Sequence, residues 1–205
     1  MTPSNGAFAT GLDLVLEQLT AQKRLLHRTP SATPSTLQNL LQVRSKIALR
    51  KTILFVGESA PGETNPYAGE AGQLLKKIIA AMDVPSADVT IHLLPKSDTK
   101  KSESSSIDMA ALLPVIEQVQ PGAIVALGST AATLLTDSKR PIGEARSQWL
   151  DYRGTPLLIT YHPSYLIHKP SNSEKRKVWE DLLMVMEKLG LPISQAQQNF
   201  FLRKT

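Results

Sequence analysis

Hydrophobic positions fall into two rhythms along the chain. Between residues 52 and 189, short apolar runs alternate with longer stretches that repeat at helical spacing. Thr52–Val56 (TILFV) is a nearly continuous apolar run, the pattern of a strand covered on both faces. Val89–Leu94 (VTIHLL), Ala123–Leu127 (AIVAL) and Pro156–Tyr161 (PLLITY) predict three more strands. Helical spacing covers Ala71–Met82, Asp108–Val119, Ser129–Leu135 and Glu174–Leu189. Strands alternating with helices predict a three-layer α/β/α domain around a central, mostly parallel, four-stranded sheet joined by right-handed crossovers. That domain is expected over residues 51–191. It follows a helical segment and linker (1–50) and precedes a tail (192–205). In the N-terminal segment, Leu12, Leu14, Val15, Leu16, Leu19 and Leu25 mark one helical face. A Thr/Pro/Ser-rich linker (Arg28–Thr36) and a short helical pattern (Leu37–Ile47) come next. The polar run SDTKKSESSS, 97–106, reads as a solvated loop.

Composition narrows the chemistry. The chain has 205 residues and a formal charge of +5, a balance that favours an anionic partner such as nucleic acid without requiring one. It contains no cysteine. Disulfides, thiolate metal sites, cysteine-held iron–sulfur clusters and a cysteine nucleophile are thereby excluded, and no cofactor or metal is expected. No basic region followed by an apolar run opens the sequence, and no apolar stretch approaches the roughly 20 residues of a membrane span. A soluble, cytoplasmic, monomeric protein is expected.

In open α/β sheets, ligands bind beyond the carboxyl ends of the strands, so the residues that follow each strand carry the functional signal. After the first comes GESAPGETNPYAGEAGQLL, Gly57–Leu75, with four of the eleven glycines. It matches neither a Walker A loop nor GxGxxG. Glu58, at the strand tip, is placed to orient a water or to cap a loop. After the last strand comes YHPSYLIHKPS, Tyr161–Ser171. His162 stands at the corresponding tip as a donor to a developing anion or as a structural histidine. Ser164, His168, Lys169 and Ser171 follow within reach of phosphates.

These two segments, VGESAPGE…NPYAGEAGQLL and ITYHPSYLIHKPS…KRKVWEDL, resemble the two signature segments of the family-four uracil-DNA glycosylases, and QPGAIVALGSTAATLL between them resembles that family's third strand and helix. The resemblance runs from about Thr52 to Leu189. It implies an enzyme that extrudes uracil from DNA and hydrolyses its bond to deoxyribose. By motif position, Glu58 would position water and stabilise the cationic sugar, and His162 would stabilise the departing base at O2. Tyr67 would stack on the base. Gly62, Gly69 and Gly72 would let backbone approach phosphate, with Ser164 and Lys169 as further DNA contacts. Trp179 is expected in the core.

Three departures from the family's pattern stand out. The cluster-binding cysteines are missing. GESAPG is one residue longer than the usual GEAPG or GEGPG, and a displacement of an ångström at Glu58 can cost about 100-fold in rate. The asparagine that reads the uracil edge at the end of the second strand falls at Leu93, with His92 beside it as the alternative. A site that loses its edge hydrogen bonds loses selectivity. Three functions follow: a clusterless glycosylase, a degenerate fold that binds DNA or a replication protein, or a nucleotide hydrolase. In the tail, Gln197-Gln198-Asn199-Phe200-Phe201 loosely resembles peptides that dock on sliding clamps, against the simpler expectation that the two phenylalanines pack back on the domain.

Overall fold

A computed structural model of the chain describes residues 50–59, 62–95 and 103–201, with the backbone alone given for 103–108. The chain divides into two compact units, Met1–Ala48 and Leu49–Thr205, and every described residue lies in the second. The predicted helices of the N-terminal segment fall outside the described residues.

Five strands form the sheet: β1 (Ile53–Glu58), β2 (Val89–Leu94), β3 (Ala123–Leu127), β4 (Trp149–Tyr152) and β5 (Thr155–Thr160), in the order β2-β1-β3-β5-β4. The β2-β1-β3-β5 part is parallel, and β4 pairs antiparallel with β5. The three-layer α/β/α expectation holds, but the sheet has five strands rather than four. The added strand is the short edge hairpin. It turns through Arg153 (φ 50°) and Gly154 (φ 83°), two consecutive left-handed residues that match the twist of a two-residue hairpin.

The helices are α1 (Gly69–Met82), α2 (Glu103–Val119), α3 (Gly128–Thr136), α4 (Ile142–Ala145), α5 (Pro163–His168), α6 (Asn172–Lys188) and α7 (Gln195–Gln198). The run 103–106, expected as loop, is the first turn of α2. Side chains alternate across β1, so its two faces feed two cores. Ile53 and Phe55 join a cluster with Leu75, Ile79 and Met82 of α1 and Val178, Leu182 and Val185 of α6. Leu54 and Val56 join Leu112 of α2 and Ala131, Ala132 and Leu135 of α3. Burial on both faces is the reason these strands read as unbroken apolar runs. Trp179 is buried in the first cluster, as expected.

Beneath the sheet edge lies a polar knot. Asp181 of α6, fully buried, accepts from Arg146 Nε (3.1 Å) and Nη2 (2.9 Å), Ser147 Oγ (2.7 Å) and Thr160 Oγ1 (2.6 Å). Arg146 Nη2 also donates to the Lys177 carbonyl at 2.7 Å. The knot ties the connection after α4 to α6 and to the last residue of β5.

The tail packs back on the domain. Ser194 caps α7 in a reciprocal capping box with Gln197. Gln197 Nε2 donates to the carbonyls of Ala81 (2.9 Å) and Met82 (3.0 Å) at the end of α1, where helical carbonyls lack partners of their own. Trp179 Nε1 donates to the Gln197 carbonyl at 2.8 Å, and the Phe200 ring lies 5.7 Å from that of Trp179.

Candidate active site at the carboxyl edge of the sheet

The parallel register brings three strand tips level. Gly57 lies opposite Leu93 of β2 and Leu127 of β3, and Glu58, the last residue of β1, lies opposite Leu94. His162 arrives two residues beyond the end of β5. Two glycines that the sequence reading did not single out make room for its ring. A Cβ on Gly57 would sit 3.3 Å from Leu127 Cβ and 3.6 Å from His162 Cδ2. One on Gly128 (φ 83°) would sit 2.9 Å from His162 Cβ.

His162 is the N-cap of α5. Its Nδ1 accepts the Ser164 main-chain N–H at 3.2 Å and lies 2.7 Å from Ser164 Oγ. A main-chain N–H can only donate, so Nδ1 carries no proton and the neutral ring holds its proton on Nε2. Burial pushes the imidazole below the ordinary histidine range, while a hydrogen bond to the Glu58 main chain pulls the other way. The ring is therefore a neutral donor whose proton faces the Glu58 side of the site.

Two clefts open beside this pair. The first, about 360 Å³, is walled by Leu75, Ile91, Leu93 and Leu127 and by the Pro66 and Ala68–Gly72 segment. The second, about 450 Å³, is lined by Ser129, Thr130, Gly143, Tyr161 and Tyr165. Glu58, Leu127, His162 and Ser164 line both. Each volume lies within the roughly 300–1,000 Å³ of small-ligand sites. Tyr161 and Tyr165 stack at 4.7 Å along the second cleft. Burial, then the nearby Glu174, pushes the Tyr161 phenol up.

The other candidate residues divide between the cleft and the packing around it. Leu93 lines the first cleft, whereas His92 shares a strand face with Val56 and Leu94, away from it. Tyr67, expected to stack on the base, is not among the cleft residues. Its ring packs on the first core cluster with Lys76 Nζ 5.9 Å from the ring centroid. Gly72, expected at a phosphate, packs α1 on its own loop, since a Cβ there would fall 2.4 Å from the Tyr67 carbonyl carbon. Gly69 (φ 62°) lines the first cleft with open space beside its Cα. Gly62 (φ 75°) turns the preceding loop without lining either cleft. The Ser164 hydroxyl engages His162 Nδ1. Exposed Lys169 lies over the Tyr165 ring (5.6 Å), and Ser171 caps α6.

The iron–sulfur cluster implied by the resemblance does not fit these residues. The chain has no cysteine, and among the described residues no group of three or more His, Cys, Asp or Glu gathers to hold a metal. No described helix is long and apolar enough to cross a membrane.

Comparison with known proteins places the chain in a family. The model of the Uracil DNA glycosylase superfamily matches residues 45–183. A Type-4 uracil-DNA glycosylase of Thermotoga maritima is 34% identical over 164 residues, covering 74% of this chain and 85% of that protein. Enzymes of the same name from Pyrobaculum aerophilum and Archaeoglobus fulgidus are 29% and 24% identical. They cover 58% and 80% of this chain and 69% and 86% of their own lengths. With a matching segment that holds the whole sheet and both strand-tip residues, the chain belongs to the uracil-DNA glycosylase superfamily.

Proposed function

We propose that the protein is a DNA-repair glycosylase that hydrolyses the N-glycosidic bond of uracil, or of a related deaminated base, in DNA, with Glu58 and His162 as its catalytic pair. The observation that carries this reading is that both residues line both clefts, so a glycosidic bond lying across them meets a carboxylate and an imidazole donor together. As the C1′–N1 bond lengthens, the sugar becomes cationic and the base anionic. The Glu58 carboxylate stabilises the sugar and holds the water that attacks C1′. With Nδ1 taken up by the Ser164 main-chain N–H, the proton on His162 Nε2 is the neutral ring's one donor for the base oxygen. The apolar wall of Leu75, Ile91 and Leu127 keeps bulk water off the base and strengthens both interactions.

The test is excision from oligonucleotides carrying uracil, hypoxanthine or xanthine, scored by alkali cleavage. Glu58→Gln and His162→Ala are each expected to lower the rate by about 10²–10⁴. Equal activity in wild type and both variants would refute the assignment. Leu93 favours a second reading, a degenerate fold that only binds DNA, because leucine stands on the cleft wall where the resemblance places an amide. Binding that weakens steeply with salt, without cleavage of any of the three bases by the wild type, would support it.

In this reading the protein acts as a cytoplasmic monomer. The tail is assigned to internal packing rather than to a sliding clamp, because clamp docking would take Gln197 from its bonds to Ala81 and Met82. Clamp binding abolished by deletion of 195–205 would reverse that assignment.

A further inference from the structure

We propose that Asn65 is a specificity-determining residue, its Nδ2 donating to a carbonyl oxygen on the edge of the extruded base, so that the cleft prefers bases with a carbonyl there over bases with an amino group. This rests on the first cleft being the base site.

Asn65 stands at the mouth of that cleft and is held at three points. Its main-chain N–H donates to Glu63 Oε1 at 2.7 Å. Its carbonyl accepts the Ala68 N–H at 3.0 Å. Its Oδ1 accepts the Tyr67 N–H at 3.0 Å, closing a side-chain turn. The last contact fixes which way the amide faces. Tyr67 N–H is an obligatory donor, so the atom against it must be the oxygen, and the nitrogen is turned the other way. Among the described residues, Nδ2 has no acceptor.

The rest of the lining offers little else from its side chains. Leu75, Ile91, Leu93 and Leu127 cannot hydrogen-bond. Glu58, Glu63 and Glu70 accept when ionised and do not donate. Ser59 Oγ donates to the Leu94 carbonyl (3.4 Å), and Ser164 Oγ is engaged by His162 Nδ1 (2.7 Å). Among the described lining residues, Asn65 Nδ2 at the mouth is then the one side-chain donor without a partner, beside His162 Nε2, which is turned toward the Glu58 main chain at the reacting bond. Uracil and hypoxanthine present a carbonyl oxygen to Asn65 Nδ2. Cytosine and adenine present an amino group in the same place, donor against donor, which leaves both unpaired on desolvation.

Asn65→Asp isolates the donor, because aspartate can still accept the Tyr67 N–H while an acceptor replaces Nδ2. Two measurements are paired: single-turnover excision of uracil and of cytosine from matched oligonucleotides, and binding of free uracil and free cytosine followed by NMR. The variant is expected to lose roughly 10–100-fold in uracil excision, the worth of one such bond, to narrow the uracil-over-cytosine binding ratio by a similar factor, and to keep its melting temperature. A wild-type ratio in the variant overturns the inference. The two failures are separable: uracil excision that persists in Glu58→Gln sinks the catalytic assignment, whereas Asn65→Asp with unchanged base preference sinks only this one. If the wild type cleaves neither base, the free-base ratio decides. A shift in Asn65→Asp upholds the inference, and an unchanged ratio or no binding of either base rejects it.

Discussion

Replacing Asp181 with alanine should be among the most damaging single changes in the domain, although the residue touches neither cleft. The carboxylate is fully buried and takes four donated hydrogen bonds from Arg146, Ser147 and Thr160, while the Arg146 side chain is only 14% exposed. Burial pushes the carboxyl up, and the Thr160 and Ser147 hydroxyls and the guanidinium pull it down. Deleting it strands a nearly buried cation and the buried Thr160 hydroxyl. Breaking such a pair by removing one partner costs about 3–5 kcal/mol. At about 2–4 °C per kcal/mol for a domain of this size, the melting temperature should fall by roughly 6–20 °C. Urea unfolding followed by circular dichroism measures this directly, with an unchanged m-value expected. Asp181→Asn keeps the volume and one acceptor, so its loss should be smaller. The pair Asp181→Leu with Arg146→Met removes both charges and should recover much of the stability. A cost below about 1 kcal/mol for Asp181→Ala, or a double variant as unstable as the sum of the two single changes, would refute the account.

Other consequences can be checked separately. Because the folded state holds the His162 pKa below its ordinary 6.5, the unfolded chain binds the extra proton first. The stability this contributes is present above about pH 6.5 and fades as pH falls through that value toward the folded pKa. NMR titration of the His162 ring should give a midpoint under 6.5 with the neutral proton on Nε2; a midpoint at or above 6.5 would contradict the effect of burial, and a proton on Nδ1 would contradict the capping geometry. Gly72→Ala, which in an open helix stabilises by roughly 0.5–1 kcal/mol, should here destabilise by about 1–3 kcal/mol, because the new methyl meets the Tyr67 backbone at 2.4 Å. A raised melting temperature would show that contact to be absent. Gln197→Ala removes both bonds to the end of α1 and should expose the tail to proteases and cost about 1–2 kcal/mol. Unchanged proteolysis would mean that the tail is held by its aromatic contacts alone.

The central strands were legible because each is covered on both sides, which forces the unbroken apolar runs at 53–56, 123–127 and 157–159. β4 was not. Four residues at a sheet edge with an exposed Asp151 carry no such run, and its turn uses Arg-Gly where Asn-Gly is the usual signal. Glu58 and His162 were legible for a complementary reason: a polar residue directly after a buried run has to stand at a strand tip. The choice between Leu93 and His92 needed only the period of two, once Leu94 was seen to point into the second core. Tyr67 was beyond a linear reading. Its direction is set by the Asn65 side-chain turn and by the seat that Gly72 leaves for the loop, and neither follows from spacing.

The least legible requirement is also the one on which the site depends most. β1 and β5 are not neighbours. β3 lies between them, so Glu58 and His162 start about two strand spacings, roughly 9–10 Å, apart, and the imidazole has to reach across the end of β3. Leu127 ends that strand, and the next residue must offer no Cβ under the crossing ring. Gly128 does so at a φ of 83°, with the imagined Cβ 2.9 Å from His162 Cβ, and Gly57 clears the far side of the crossing. Any side chain at 128 would be strained by its own backbone and would press on the base of the imidazole. The acid and the imidazole are therefore held in one site by what is missing from two positions between them. The Ser164 N–H then fixes the ring once it has arrived, so the geometry of this pair is set at the strand ends themselves.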